Sequence, residues 1–109
     1  MKPNLPIVLQ RYYYAENAHD IEAMVACFAP DALVRDEGRD IRGTEAVRAW
    51  KKETSAKYHI SVEPLECSVE AGHAVVVVKV SGNFPGSPAN LTYRFDLTAD
   101  GRISALEVR

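Results

Sequence analysis

Cysteine occurs only twice in the 109 residues, as Cys27 and Cys67. The two fall in different predicted elements, so a disulfide framework is excluded, a single bridge is the most that can form, and two buried free thiols in a cytoplasmic protein is the reading adopted. There is no excess of basic charge. The formal net charge is −2 with acidic and basic residues interspersed, so no surface advertises itself to nucleic acid or to anionic lipid. The opening stretch MKPNLPIVLQ has neither a long apolar run nor a cleavage pattern, so neither a leader peptide nor a membrane span is expected. No internal repeat or low-complexity tract is present.

Motifs of common chemistries are equally scarce. His19, His59 and His73 have no metal-ligand spacing, so no metal is expected. No serine or cysteine sits in a nucleophile elbow. The one glycine-rich stretch, Gly82-Asn83-Phe84-Pro85-Gly86, lacks both phosphate-loop spacing and a following helix, and no cofactor is expected. It reads as a loop at the mouth of a pocket, with Phe84 as a lid.

What remains is an ordinary globular composition, 47% apolar and 26% charged, enough for one core and one domain over residues 1–109. Leu5, Val8, Leu9, Tyr12 and Glu16 follow helical spacing and predict a helix over 4–17, with Pro6 in its first turn. Asp20 caps a second helix carrying Ile21, Met24, Val25 and Phe28, with Pro30 beyond its end. Residues 31–37 read as a short strand, followed by a turn and a brief extended piece. A third helix opens at Gly43-Thr44, with Thr44 as its cap and Val47, Trp50 and Thr54 on its buried face. After Tyr58 the period falls to two. Tyr58, Ile60 and Val62 alternate, Leu65, Cys67 and Val69 alternate in the opposite parity, and Pro64 marks the flip as a bulge or edge. Ala74–Val80 is apolar on both faces, and Leu91–Leu97 and the last strand complete an antiparallel meander. The fold class is α+β, a strongly bent sheet folded over helices.

The stretches VLQRYYYAENAHD, FAPDALVRDEG and IRGTEAVRAW, followed by SGNFPGSPANLTYRFDLTADGRISALEV, resemble the nuclear transport factor 2-like superfamily in its SnoaL-like branch. The resemblance spans nearly the whole chain. It implies a cone, a curved antiparallel sheet wrapped around three N-terminal helices, with an apolar pocket at the wide end. It leaves function open, because the superfamily holds isomerases, cyclases, dehydratases, hydrolases and non-catalytic binding or dimerisation domains.

Three consecutive tyrosines, Tyr12, Tyr13 and Tyr14, pose the question of which one meets that pocket. At about 100° per residue Tyr12 lies within the arc of Leu5, Val8 and Leu9, Tyr13 lies on its edge and Tyr14 faces nearly opposite. Tyr12 is either a core aromatic or a donor inside the cavity, where a buried hydroxyl needs a partner. Asp36 shares strand parity with Ala32 and Val34. It is either a pocket carboxylate, where an apolar setting makes a better proton acceptor, or a turn residue. Glu16 sits one turn beyond Tyr12, as a second pocket acid or as an exposed carboxylate at the helix end. Within the superfamily the pair resembles the ketosteroid isomerases, whose first-helix tyrosine and general-base aspartate fall on Tyr12 and Asp36. Their third position, an acid, falls here on Tyr93. The resemblance implies proton transfer next to a carbonyl of a hydrophobic substrate, with Asp36 as base and Tyr12 and Tyr93 holding the oxygen. Glu16, Trp50, Phe84 and Phe95 are expected to line the substrate site. The open face of strand 74–80 is expected to be covered by a second copy, giving a homodimer with Arg94 or Asp96 at its rim.

Overall fold

The computed structural model describes residues 3–109; Met1 and Lys2, the start of the stretch read for a leader, lie outside the described residues. Helix α1 runs Ile7–Ala18 and α2 runs Ile21–Ala26, then come strands β1 (Phe28–Asp36) and β2 (Arg39–Arg42). Helix α3 (Thr44–Tyr58) is followed by β3 (Ser61–Glu70), β4 (His73–Ser81), β5 (Ala89–Leu97) and β6 (Ile103–Val108). The strands form one six-stranded sheet in the order β2-β1-β6-β5-β4-β3. The meander β3–β6 is antiparallel, and β1 joins its end by pairing parallel to β6. None of the described helices is long and apolar enough to cross a membrane.

Several expected boundaries shift for physical reasons. Pro6 stands at the N-cap of α1 rather than inside its first turn, and the helix begins at Ile7. Asp20 does cap α2, its carboxylate accepting from the amide of Ala23 at 3.1 Å, but the helix ends at Ala26. Phe28 therefore belongs to β1, not to the helix, and the strand begins three residues earlier than its alternation suggests. Thr44 is the first helical residue rather than the cap of α3. Gly43 holds the cap position at φ 89°, backbone that favours glycine, and no side chain caps the helix. The parity flip in β3 is a bulge between Pro64 and Glu66, and β3 is an edge strand, where a proline removes no bond needed by a neighbour.

The inward face of the sheet carries Val34, Val76, Val78, Phe95 and Leu106, all fully or nearly fully buried against Leu9, Tyr12, Met24 and Val47 of the helices. Rings of Tyr13, Phe28 and Phe95 meet Tyr12 edge-to-face at centroid distances of 5.3, 5.7 and 6.0 Å. On the outward face Val75 and Val77 of β4 are only partly covered within this chain.

Candidate functional site

One cavity of about 340 Å³ opens where α1 ends, α3 passes and the strands β1, β4, β5 and β6 converge, at the small end of the range for ligand pockets. A wider groove outside α1 and α2 is lined mainly by apolar side chains such as Ile7, Val8 and Leu97, and its charged groups, Arg11, Asp20 and Asp100 among them, lie on the surface. The cavity is distinguished by the polar groups it encloses.

Three elements bring those groups together. Helix α1 delivers Glu16, one turn past the buried Tyr12, and the side chain is only 5% exposed. Helix α3 delivers Trp50, Lys51 and Thr54, and Lys51 is 3% exposed. Strand β1 ends in Asp36, half-buried, whose carboxylate accepts the indole N–H of Trp50 at 2.9 Å. The Lys51 ammonium lies 2.8 Å from one Glu16 oxygen and 3.1 Å from the other, donates to the Tyr12 hydroxyl at 3.2 Å, and stands 4.4 Å from the Trp50 ring centroid. The pair thus has the hydrogen bonding that makes a buried ion pair tolerable.

Tyr93 enters the cavity from β5, on the face shared with Leu91 and Phe95. Among the described residues its hydroxyl has no hydrogen-bond partner. Burial first, then the carboxylates of Glu16 and Asp36, push its pKa above the ordinary phenol value. It is therefore a neutral donor over the whole physiological range. Tyr12 is also held neutral, by burial and then by Glu16.

The structure brings Glu16, Asp36, Trp50, Phe84 and Tyr93 around one space, and it leaves two expected residues elsewhere. Tyr12 is wholly buried behind Lys51 and does not border the cavity. Phe95 does not line it either; its ring packs against Tyr12, Tyr13 and Tyr93 in the core, because its place on β5 is one inward step deeper than Tyr93. Glu16 is not the exposed helix-end carboxylate that was the alternative, since Lys51 neutralises it in the interior. Tyr13 is buried rather than marginal, and among the described residues its hydroxyl has no partner.

Lys51 is the residue that sequence reasoning missed. A signal was there: Val47, Trp50, Lys51 and Thr54 stand at i, i+3, i+4 and i+7 of one helix, so the period itself puts a lysine on the buried stripe. Set beside Glu16 on the inward arc of the first helix, it makes two opposite charges on two apolar faces.

The mouth of the cavity is formed by Tyr58 and by Phe84 and Pro85 of the loop between β4 and β5. The rings of Tyr58 and Phe84 meet edge-to-face at 6.1 Å. Gly82 permits this approach, since a Cβ there would fall 2.6 Å from the carbonyl oxygen of Tyr58, and the next amide, Asn83, donates to that same oxygen at 2.7 Å. Phe84 is thereby tethered to the end of α3.

The SnoaL-like domain model matches residues 9–106, almost the whole of the chain. The chain belongs to the SnoaL-like domain family. Its sequence is 42% identical to a Sinorhizobium meliloti protein named as a candidate polyketide cyclase, over 96% of this chain and 95% of that one, with a TM-score of 0.92. Two more distant structures share the fold. SalBIII, an epoxide hydrolase/cyclase-like enzyme with a role in pyran ring formation in salinomycin, is 20% identical with a TM-score of 0.83, over 94% of this chain and 86% of that one. A Mycobacterium tuberculosis protein solved with estradiol-17beta-hemisuccinate is also 20% identical, with a TM-score of 0.77, over 94% and 89%. No curated protein matches the chain. This SnoaL-like fold is the cone expected from the sequence, and among the described residues no group of three or more potential metal ligands is present.

Proposed function

We propose that this SnoaL-like cavity binds a small, mainly apolar carbonyl compound and moves a proton on the carbon next to the carbonyl, with Asp36 as general base. The observation that carries the reading is a half-buried carboxylate facing the same space as a neutral phenol with no partner of its own. Trp50 holds the Asp36 carboxylate with a neutral N–H, so its charge is oriented but not cancelled. Asp36 takes the proton from carbon, the electron pair moves onto the carbonyl oxygen, and Tyr93 donates a hydrogen bond to the oxygen as its charge grows. The proton then returns to carbon. Tyr12, expected beside Tyr93, acts at one remove, through its contact with Lys51.

The relatives favour this class of substrate. One is named as a candidate polyketide cyclase, one has a role in pyran ring formation in a polyether, and the mycobacterial relative was solved with a steroid derivative. The Asp36→Asn variant tests the reading by proton nuclear magnetic resonance in deuterated water. The wild-type protein should speed exchange of the acidic hydrogens of a bound cyclic ketone, and the variant should lose that exchange while keeping its fold. Equal, accelerated exchange in the two proteins would remove Asp36 as the base, and wild-type exchange no faster than in free solution would leave a binding module without turnover, the rival reading of the same cavity.

The outward face of β4 supports a homodimer joined sheet to sheet. Val75 and Val77 are half-covered there, and Thr92 and Arg94 sit opposite them on β5. A second copy packed on this face covers the valines and leaves the two cavities facing away from each other. Light scattering across a dilution series should give twice the 12.1 kDa chain mass at micromolar concentration, and a monomer mass would remove this part of the proposal.

A further inference from the structure

Strand β3 is an edge of the sheet, and its two halves are finished differently. Over the first half the edge is closed. The Asn17 side chain accepts from the Val62 amide at 2.7 Å and donates to the Val62 carbonyl at 2.9 Å, so those backbone groups point away from β4 and are already paired. Pro64, two residues on, has no N–H to offer, and the bulge follows it. Over the second half the edge is open. Ala71 and Gly72, at φ 50° and 81°, make a two-residue turn that sets Glu70 opposite His73 as the closing bonded pair. Alternation from that pair turns the amides and carbonyls of Cys67 and Val69 outward, away from β4. Among the described residues nothing pairs with them on that side.

The side chains of this open stretch sort by face. Cys67 and Val69 lie opposite the buried Val76 and Ala74, yet Cys67 is only half-buried and Val69 is 51% exposed. Glu66, Ser68 and Glu70 lie on the other face and are all exposed. Neither Glu66 nor Glu70 joins an ion pair among the described residues, and His73, opposite Glu70, is bonded to Asp96 instead. At the Pro64 end the edge meets a groove of about 760 Å³ between β3 and α1, bordered by Leu5, Tyr14, Pro64 and Leu65, with Tyr14 79% exposed.

We propose that the open half of β3 is a docking edge for an extended segment of another protein, one that alternates apolar and basic residues. Added as a seventh strand, the segment pairs its main chain with Cys67 and Val69. Its apolar side chains lie beside those two residues, and its basic side chains lie beside Glu66 and Glu70. An apolar side chain at the Leu65 end enters the groove beside Tyr14. A second copy of this chain does not suit the edge. Two β3 strands paired antiparallel about Ser68 would set Glu66 opposite Glu70 twice, and like charges directly opposite destabilise. The docking edge rests neither on the chemistry of the cavity nor on the dimer.

The probe is a hexapeptide alternating valine and lysine, blocked at both ends and titrated into the whole chain. Nuclear magnetic resonance with amide hydrogen exchange reads the result residue by residue. The peptide should bind saturably and protect the Cys67 and Val69 amides from exchange, which are open to solvent in the free protein. Replacing lysine by glutamate in the peptide should weaken binding about ten-fold, as two cross-strand charge pairs turn from attractive to repulsive. N-methylation of the peptide amides that face β3 should weaken it by at least as much, because the side chains are kept and the ladder is lost. The double variant Glu66→Lys, Glu70→Lys should reverse the preference between the two peptides. If that variant does not fold, the N-methylated peptide decides alone. The proposal is overturned by an absence of saturable binding, by equal affinity for the acidic peptide, or by affinity that survives N-methylation. Protection that falls elsewhere than on Cys67 and Val69 also overturns it. So does protection of those two amides that grows with concentration in the protein alone, which would give the edge to a second copy.

Discussion

At the closed end of the cone, Leu9, Met24, Phe28, Phe95 and Ile103 fill the space between helices and sheet, and each is 5% exposed or less. At the open end, two turns along the same helix from Leu9, the inward position is taken by Glu16, and facing it are Lys51, Asp36 and the Tyr93 hydroxyl. The same sheet and helices build both ends, so backbone geometry does not account for the difference. It lies in what the side chains ask of their neighbours. A leucine at the closed end needs only volume filled, and any apolar neighbour of the right shape serves. A carboxylate at the open end needs a particular partner at hydrogen-bond distance, and removing that partner leaves an uncompensated charge. The closed end is held together by many interchangeable contacts, the open end by a few specific ones.

The sharpest way to break this contrast is to remove one charge. Lys51→Met leaves Glu16 buried without its cation, and the loss should be about 3–5 kcal/mol. Adding Glu16→Leu should restore most of that stability, because the second change removes the need for a partner. Leu9→Ala at the closed end should cost about 2–5 kcal/mol by leaving a cavity, and no single charge-removing change elsewhere should recover it. Urea unfolding of the four proteins measures all of these. A Lys51→Met variant as stable as the wild type would mean that the pair is already solvated and that the two ends are alike.

A second prediction sits on the layer between the ends, where Tyr12, Tyr13 and Tyr93 are packed. Burial, the largest cause in each, raises all three phenols above their ordinary value of 10.0. The folded chain therefore keeps protons that the unfolded chain gives up, so this contribution to stability is fully present below about pH 10 and is lost as pH rises beyond it. Each phenol adds a limiting slope of about 1.4 kcal/mol per pH unit. Alkaline titration followed at the tyrosinate absorbance should show these three silent until the chain unfolds, in one cooperative step. Smooth ionisation of every tyrosine without loss of helix signal would show that the middle layer is open to water.

The closed end was legible in the sequence because it is written as periodicity. Leu9 and Tyr12 on one arc, Met24 and Val25 on another, and the alternation of Tyr93, Phe95 and Leu97 each place a residue by its neighbours alone. What periodicity assigns less well is depth. Tyr93 and Phe95 have the same parity, yet one borders the cavity and the other lies in the core, and the register of β5 on β4 and β6 decides between them. The open end was legible only in part. Asp36 followed from strand parity, whereas the Glu16–Lys51 pair joins residues 35 positions apart, and neither says which is the other's partner. Boundaries failed where a local signal was outvoted. Phe28 fits the helical period, but pairing with Ile103 of β6 draws it into the sheet.

The smallest expected effect on stability is at Asp36, and that is what makes it informative. Its carboxylate is half-buried and accepts one hydrogen bond, from the indole of Trp50, and it has no cation partner among the described residues. Asparagine offers the same indole a carbonyl oxygen in nearly the same position, so Asp36→Asn gives up the charge-assisted part of one bond and gains freedom from the field of Glu16. The net change should be about 1 kcal/mol or less, in either direction. On the function proposed above, a group so nearly neutral to folding acts on the ligand rather than on the fold. Urea unfolding of the variant measures this. If Asp36→Asn were to cost as much as Lys51→Met, Asp36 would be a structural anchor for Trp50, and the open end would be held by two indispensable contacts rather than one.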